Sequence, residues 1–133
     1  MAMFSKFEMV KDYLMELGFA IIREDEDEEI VVVNDPDNGI NNMVIDCEDP
    51  IVIMEQLIME VPEKPGDLYE KLLKMNRTLV HGAFVLDEEG KRVIYRDTLQ
   101  LENLDKNELE ASIVALSMGI AEFGNELLNY AKR

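Results

Sequence analysis

Basic side chains are scarce in this chain: 13 lysines and arginines stand against 29 aspartates and glutamates, a formal net charge of −16 over 133 residues. A module that binds duplex nucleic acid displaces phosphate counterions with a basic footprint, and no cluster of Lys and Arg supplies one. The same sign of charge argues against attachment to anionic lipid, and no uninterrupted run approaches the ~20 apolar residues of a membrane-spanning helix. Nucleic acid and membrane are therefore not expected as partners. With Cys47 as the only cysteine, no internal disulfide forms and nothing calls for an oxidising compartment. The N-terminal stretch places Lys6 and Glu8 inside a periodic apolar pattern, unlike a leader with a charged start and a continuous apolar core. The expected location is the cytoplasm.

Chemical motifs are missing as well. Cys-x-x-Cys, His-Glu-x-x-His, Gly-x-Ser-x-Gly, a phosphate loop and a dinucleotide fingerprint are all absent, so no enzyme, cofactor or metal centre is expected. His81 is the only histidine. The acidic run Glu24–Glu29 creates a strongly negative local potential but lacks the alternating ligands and central glycine of a calcium loop. It reads as a solvated hairpin tip that also discourages edge-to-edge association.

What is present is a globular composition, 47% hydrophobic, at a length that suits one domain with its own core. Ser5-Lys6-Phe7-Glu8 has the spacing of a capping box, and Met3, Phe7, Val10, Leu14 and Leu17 then fall on one helical face before Gly18, which predicts a helix over 5–17. Two β-branched runs, 19–22 and 30–33, flank the acidic tip and predict a strand pair. After the turn residues 34–39 comes a strand around Met43–Cys47, and after Pro50 the most apolar run of the chain, Ile51–Val61. Asp67 is positioned to cap a short helix ending near Asn76. Residues 79–86 and 91–101 around Asp87-Glu88-Glu89-Gly90 form a β-hairpin pattern, with glycine where positive φ is needed. Leu109, Ile113, Leu116, Ile120, Phe123, Leu127 and Tyr130 step by four and three residues and predict a long amphipathic helix over 106–131, in which Ser112, Ala115, Gly119 and Gly124 permit close backbone approach. The order helix, strands, short helix, hairpin, long helix predicts one α+β domain: an antiparallel sheet with helices laid on it.

Two features stand out against that plan. Ile51–Val61 is apolar on both parities: Ile51, Ile53, Leu57, Met59 and Val61 surround Glu55 on one, and Val52, Met54 and Ile58 accompany Gln56 and Glu60 on the other. A sheet covered on one side should alternate, so the second face, expected to be that of Val52, Met54 and Ile58, meets either a further layer of this chain, a second subunit or a bound polypeptide. The nine methionines suit adaptable contact surfaces, although most would be core filler. Asp97 shares the core-facing parity of Val93, Tyr95, Leu99 and Leu101. An ionised Asp97 there needs a partner, with Arg77, His81 and Arg96 available, unless a bulge turns it outward.

The stretches Leu68-Tyr69-Glu70-Lys71-Leu72-Leu73-Lys74-Met75-Asn76, His81-Gly82-Ala83-Phe84-Val85-Leu86-Asp87-Glu88-Glu89-Gly90 and Arg96-Asp97-Thr98-Leu99-Gln100-Leu101-Glu102-Asn103-Leu104, with the helix after them, resemble the YbjN-like proteins, which share a fold with type III secretion chaperones. The resemblance runs from Gly18 onward and rests on apolar positions and turns, with no catalytic signature among them. It implies three helices flanking a twisted antiparallel sheet, commonly as a homodimer, and for the secretion chaperones the binding of unfolded client segments along apolar sheet surfaces. Two expectations follow. The first is a non-enzymatic, acidic, dimeric polypeptide-binding protein with Val52, Met54 and Ile58 as partner contacts and Leu72, Leu73 and Met75 as dimer contacts. The second is a small-molecule or cation sensor with a pocket between the long helix and the sheet and Arg77, His81 and Asp97 as its polar groups.

Overall fold

The computed structural model describes residues 5–133, so Met3, the first position of the expected helical stripe, lies outside the described residues. Helix α1 (Lys6–Glu16) starts where the capping pattern places it, with the Ser5 side chain accepting the Glu8 backbone N–H at 3.1 Å. Glu8 does not complete the box; its carboxylate goes to Lys11 at 2.8 Å. Lys11 also meets Glu24 at 2.8 Å and lies 4.7 Å from the centre of the Phe7 ring. These contacts fasten the helix to the first strand, and the two carboxylates hold the Lys11 ammonium above its ordinary pKa against the opposing effect of burial.

Six strands follow: β1 (Ala20–Asp25), β2 (Ile30–Asp35), β3 (Ile40–Glu48), β4 (Ile51–Glu60), β5 (Ala83–Leu86) and β6 (Arg92–Gln100). They form one antiparallel sheet in the order β1-β2-β3-β4-β6-β5. The only departure from a meander comes after β4, where the chain leaves the sheet through helix α2 (Leu68–Asn76), returns as the edge strand β5 and turns inward as β6. Asp67 does not cap α2 with its side chain. It instead accepts the Tyr130 hydroxyl at 2.5 Å, which ties the start of α2 to the end of the last helix and holds the carboxyl below its usual range.

Helix α3 (Lys106–Ala131) begins at Asp105, whose side chain accepts the Glu108 N–H at 2.8 Å. By length and composition α3 is long and apolar enough to cross a membrane, a property that the scattered Glu110, Glu122 and Glu126 conceal when only uninterrupted runs are sought. In this fold it lies over β3, β4 and β6, with Leu109, Ile113, Leu116 and Leu127 buried against the sheet. The core face of the sheet supplies Val31, Val33, Met43, Ile45, Cys47, Val52, Met54, Val93 and Tyr95, and α1 adds Phe7, Val10 and Leu14. Burial pushes the Cys47 thiol up to about 12, leaving it an inert apolar side chain.

Strand β5 is shorter than its apolar pattern because Leu79 and Val80 pack against the middle of α3, around Ala115 and Gly119. Gly82 has φ +71°, and a Cβ there would stand 2.5 Å from the Tyr95 ring. That close approach lets the buried Tyr95 hydroxyl share its proton between the Ser112 carbonyl at 2.9 Å and the His81 carbonyl at 3.1 Å. Gly82→Ala is therefore expected to destabilise the protein by about 2–4 kcal/mol, combining left-handed strain with overpacking. Gly18→Ala, at φ +88° with nothing within 4 Å of the new methyl, is expected to cost about 1–3 kcal/mol from strain alone. Urea unfolding of the two variants measures the difference.

Candidate functional site

Because α1 and α3 pack on one side and α2 lies beside the edge strand β5, the other side of the sheet has no layer on it among the described residues. Strand register fixes which residues share that open face. One row runs Arg23–Val32–Val44–Glu55–Arg96–Ala83, the next Asp25–Ile30–Asp46–Ile53–Thr98, a third Glu48–Ile51–Gln100 and a fourth Leu57–Ile94–Val85. Ile30, Val32, Val44, Ile51, Ile53, Ile94 and Val85 are all half-buried, and Leu57 is 53% exposed. A single unpaired Leu on a surface means little, but these residues are contiguous across five strands.

The strand expected to be two-faced is so, with its faces exchanged. Val52 and Met54 are wholly buried under α3 and take part in the core, which corrects their expected role as surface contacts. Ile58 is half-buried and lines a groove of about 390 Å³ between β4 and α3, with Met59, Ile120, Gly124 and Leu127. The residues that face outward are Ile51, Ile53 and Leu57. Beyond Leu57 the faces change over, because the register with β6 slips between Leu57 and Met59 and Met59 is buried two residues after the outward Leu57. The odd-numbered apolar positions thus do not share one face.

Polar groups on the core side are satisfied within the chain. Gln56, buried beside Met54, donates to the Gly39 carbonyl at 3.0 Å and accepts from Asn41 N at 3.1 Å. Asp97 keeps the core-facing parity, and its partner is the Ser112 hydroxyl at 2.5 Å, with Thr98 N donating to the other oxygen at 2.9 Å. Arg77, His81 and Asp97 do not assemble into a polar site. Arg77 is exposed at the end of α2, His81 contributes its backbone carbonyl and not its ring, and no ion pair joins either to Asp97 among the described residues. The groove between α3 and the sheet is lined by other side chains.

On the open face the charges are uneven. Arg96 pairs with Glu55 at 3.1 Å, and at the sheet's margin Arg92 meets Glu60 at 3.5 Å and Asp87 at 3.6 Å. Asp46 has no such partner: its Oδ1 is sealed from solvent without a hydrogen bond. Desolvation, reinforced by Glu48, Glu28 and Glu55, holds its carboxyl above the ordinary range. Sequence parity places Asp46 opposite Met43, Ile45 and Cys47 and so outward, but only the register reveals isoleucines on both sides of it. No group of three or more His, Cys, Asp or Glu converges to hold a metal among the described residues, the Glu24–Glu29 turn included.

The expected dimer contacts divide. Leu72 and Met75 are buried beneath α2, whereas Leu73 is 72% exposed and, with Tyr69, Leu86 and Val85, lines an apolar groove of about 430 Å³ between α2 and β5. Asn76 stands at the edge of this groove and grips one residue of β5 at both ends: it accepts from Phe84 N at 2.7 Å and donates to Phe84 O at 3.1 Å.

No curated protein matches the chain by sequence. Among solved structures, an uncharacterized protein from Methanothermobacter thermautotrophicus is similar with a TM-score of 0.69 at 18% identity, over 96% of this chain and 99% of that one. YbjN from E. coli is similar with a TM-score of 0.68 at 16% identity, over 90% and 92% of the two chains. A chain of the HopA1-SchA chaperone-effector complex gives a TM-score of 0.59 at 14% identity, over 96% and 94%. These likenesses show the fold: three helices and an open six-stranded antiparallel sheet of the secretion-chaperone kind. The family model CesT_Tir_1 matches residues 3–133, and the chain accordingly belongs to this family of type III secretion chaperones.

Proposed function

We propose that this protein is a non-enzymatic chaperone that holds an extended segment of a client polypeptide on the open face of its sheet. The observation that carries the reading is the uncovered apolar surface formed by Ile30, Val32, Val44, Ile51, Ile53, Leu57, Ile94 and Val85 on a single chain. Membership in a chaperone family and the likeness to a chain of a chaperone-effector complex support it. The rows of side chains across the sheet give an extended polypeptide places to set alternate side chains, and the charge of −16 keeps such a surface from self-association in its free state. Ile58 belongs to this reading only at the margin, where the sheet passes under α3.

The same reading includes a homodimer. Its contact is the groove of Leu73, Tyr69, Leu86 and Val85, with Leu72 and Met75 shaping the groove from below. Asn76 occupies the backbone groups of Phe84, so the contact would form through side chains and not by joining β5 to its copy.

Three measurements test these statements. Ile53→Ser with Leu57→Ser is expected to weaken binding of a fluorescein-labelled peptide of alternating Val and Ser by tenfold or more in anisotropy titrations, while the variant stays folded; undiminished binding would remove the open face from the site. Met54→Ala, by contrast, is expected to lower stability by about 2–5 kcal/mol as a core truncation. Leu73→Glu is expected to convert the dimer to monomer in sedimentation equilibrium without loss of secondary structure; an unchanged mass would place the dimer elsewhere or exclude it.

A further inference from the structure

The Asp46 carboxylate is poorly placed for a residue that serves folding alone. It lies in direct cross-strand register between Ile30 on one side and Ile53 on the other, and its Oδ1 is buried with nothing donating to it. Leaving such an acceptor unsatisfied opposes folding, because water is lost and no hydrogen bond replaces it. The charged neighbours around it are of its own sign: Glu48 on the same strand, near enough to share a hydrogen bond with Asp46 only when one of the two carboxyls is protonated, Glu28 in the turn between β1 and β2, and Glu55 on β4. Arg96 on β6 is engaged by Glu55, Thr98 closes the row without charge, and Arg23 lies out on the edge strand, opposite Val32 in the neighbouring row. The face therefore offers apolar contact on both flanks of a carboxylate with unfilled acceptor capacity, inside a negative field.

On the reading that the open face holds a polypeptide, the geometry points to a preference for segments that carry a lysine or arginine between apolar side chains, with Asp46 as the residue that receives the cation. The complementary occupant is cationic and amphipathic. A second copy of this chain seated face to face would set its own Asp46, Glu48 and Glu55 against the same carboxylates here, and like charge brought together opposes association. The isoleucines beside Asp46 would exclude water when a segment is seated, which strengthens the Coulomb attraction between the charges. Because Asp46 is already desolvated in the free chain, seating adds only the cation's share of the desolvation cost.

The test uses three fluorescein-labelled peptides of 13 residues that alternate Val and Ser and differ only at the central apolar position, which is Val, Lys or Glu. The Lys form is expected to bind the native protein at least fivefold more tightly than the Glu form, and Asp46→Asn is expected to reduce that ratio to below twofold while retaining the Val form. Glu88→Gln with Glu89→Gln, in the exposed turn between β5 and β6, removes as much charge or more from a site off the face and is expected to leave the ratio unchanged. A ratio that falls equally in both variants would assign the preference to net charge alone and overturn the role of Asp46. Equal affinities of Lys and Glu forms for the native protein would do the same. Failure of all three peptides to bind would overturn the polypeptide reading itself. Sedimentation at the same concentrations separates the remaining case: a dimer split by the Lys peptide would show the face already occupied by a second copy. Removing the charge also has a reading without peptide. Because the folded carboxyl is raised above its unfolded value, its ionisation costs stability at neutral pH and the cost vanishes below the ordinary carboxylate range, near 3.8. Asp46→Asn should thus melt at higher temperature than the native protein at pH 7 and at nearly the same temperature at pH 3; a lower melting temperature at pH 7 would show an unrecognised partner for Asp46 within the chain.

Discussion

Two of the three helices of this chain, α1 and α3, lie on the same side of six strands, and the third sits beside an edge. That asymmetry organises the rest of the molecule. A sheet buried on both faces reads as continuous hydrophobic sequence and one buried on a single face alternates. Here the middle strand β4 is apolar on both faces, yet only one is covered, by α3. The core is complete without the open face: Tyr95, Met54, Ile45 and Leu116 are fully enclosed on the helix side. The apolar side chains opposite them add little to that enclosure and stay half in solvent. On the proposed reading, an occupant outside the single folded chain accounts for their presence.

The helix side is held in place by polar contacts at a few well-separated points. Ser112 serves two of them, donating from its hydroxyl to Asp97 and accepting from Tyr95 at its carbonyl, so one turn of α3 is locked to two residues of β6. Tyr130 and Asp67 lock the far end of α3 to α2, and Lys11 locks α1 to β1 through Glu24. Each contact joins elements that are distant in sequence. Buried polar groups satisfied in this way fix one arrangement of helices on the sheet where apolar packing alone would tolerate several. Among the described residues the exception among buried side-chain polar atoms is Asp46 Oδ1, and it lies on the side where no helix is held.

Much of this fold can be read from residue periodicity. The four-three stepping of Leu109 to Tyr130 yields α3 over its observed span, and Asp87 to Gly90 yields the hairpin turn. The expected β-branched pair 19–22 and 30–33 appears as β1 and β2, which run on by three and two residues at their C-terminal ends. Parity was the unreliable guide, and β4 shows why. Period-two reasoning assumes an unbroken strand, whereas the slip between Leu57 and Met59 moves later residues to the opposite face. Counting five apolar residues on the odd positions then combines three that face outward with two that face the core. Asp97 illustrates the converse: its inward parity was legible and so was its need for a partner, but Ser112 is fifteen residues away on another element and nothing local announces the pair. Asp46 was illegible for the same reason, since its significance lies in what stands across the strands from it.

The sheet edges decide how such a face can be used. An open edge recruits other chains by backbone pairing, which is strong and indifferent to sequence. On β5 the outward N–H and C=O of Phe84 are taken by Asn76, which imitates a neighbouring strand with one side chain. On β1 the ladder is interrupted at Ile22, and the strand ends in Glu24 and Asp25. A bulge and adjacent carboxylates both work against indiscriminate strand addition. With backbone recognition curtailed at both edges, whatever the proposed open face holds must be held by side chains in its rows. Apolar rows alone would accept almost any extended hydrophobic segment, including those of a protein's own unfolded neighbours. A carboxylate set between Ile30 and Ile53 changes that, because an occupant without a cation leaves it desolvated and unpaired while one with a cation satisfies it. On this proposal the same group that opposes folding in the free chain distinguishes one occupant from another.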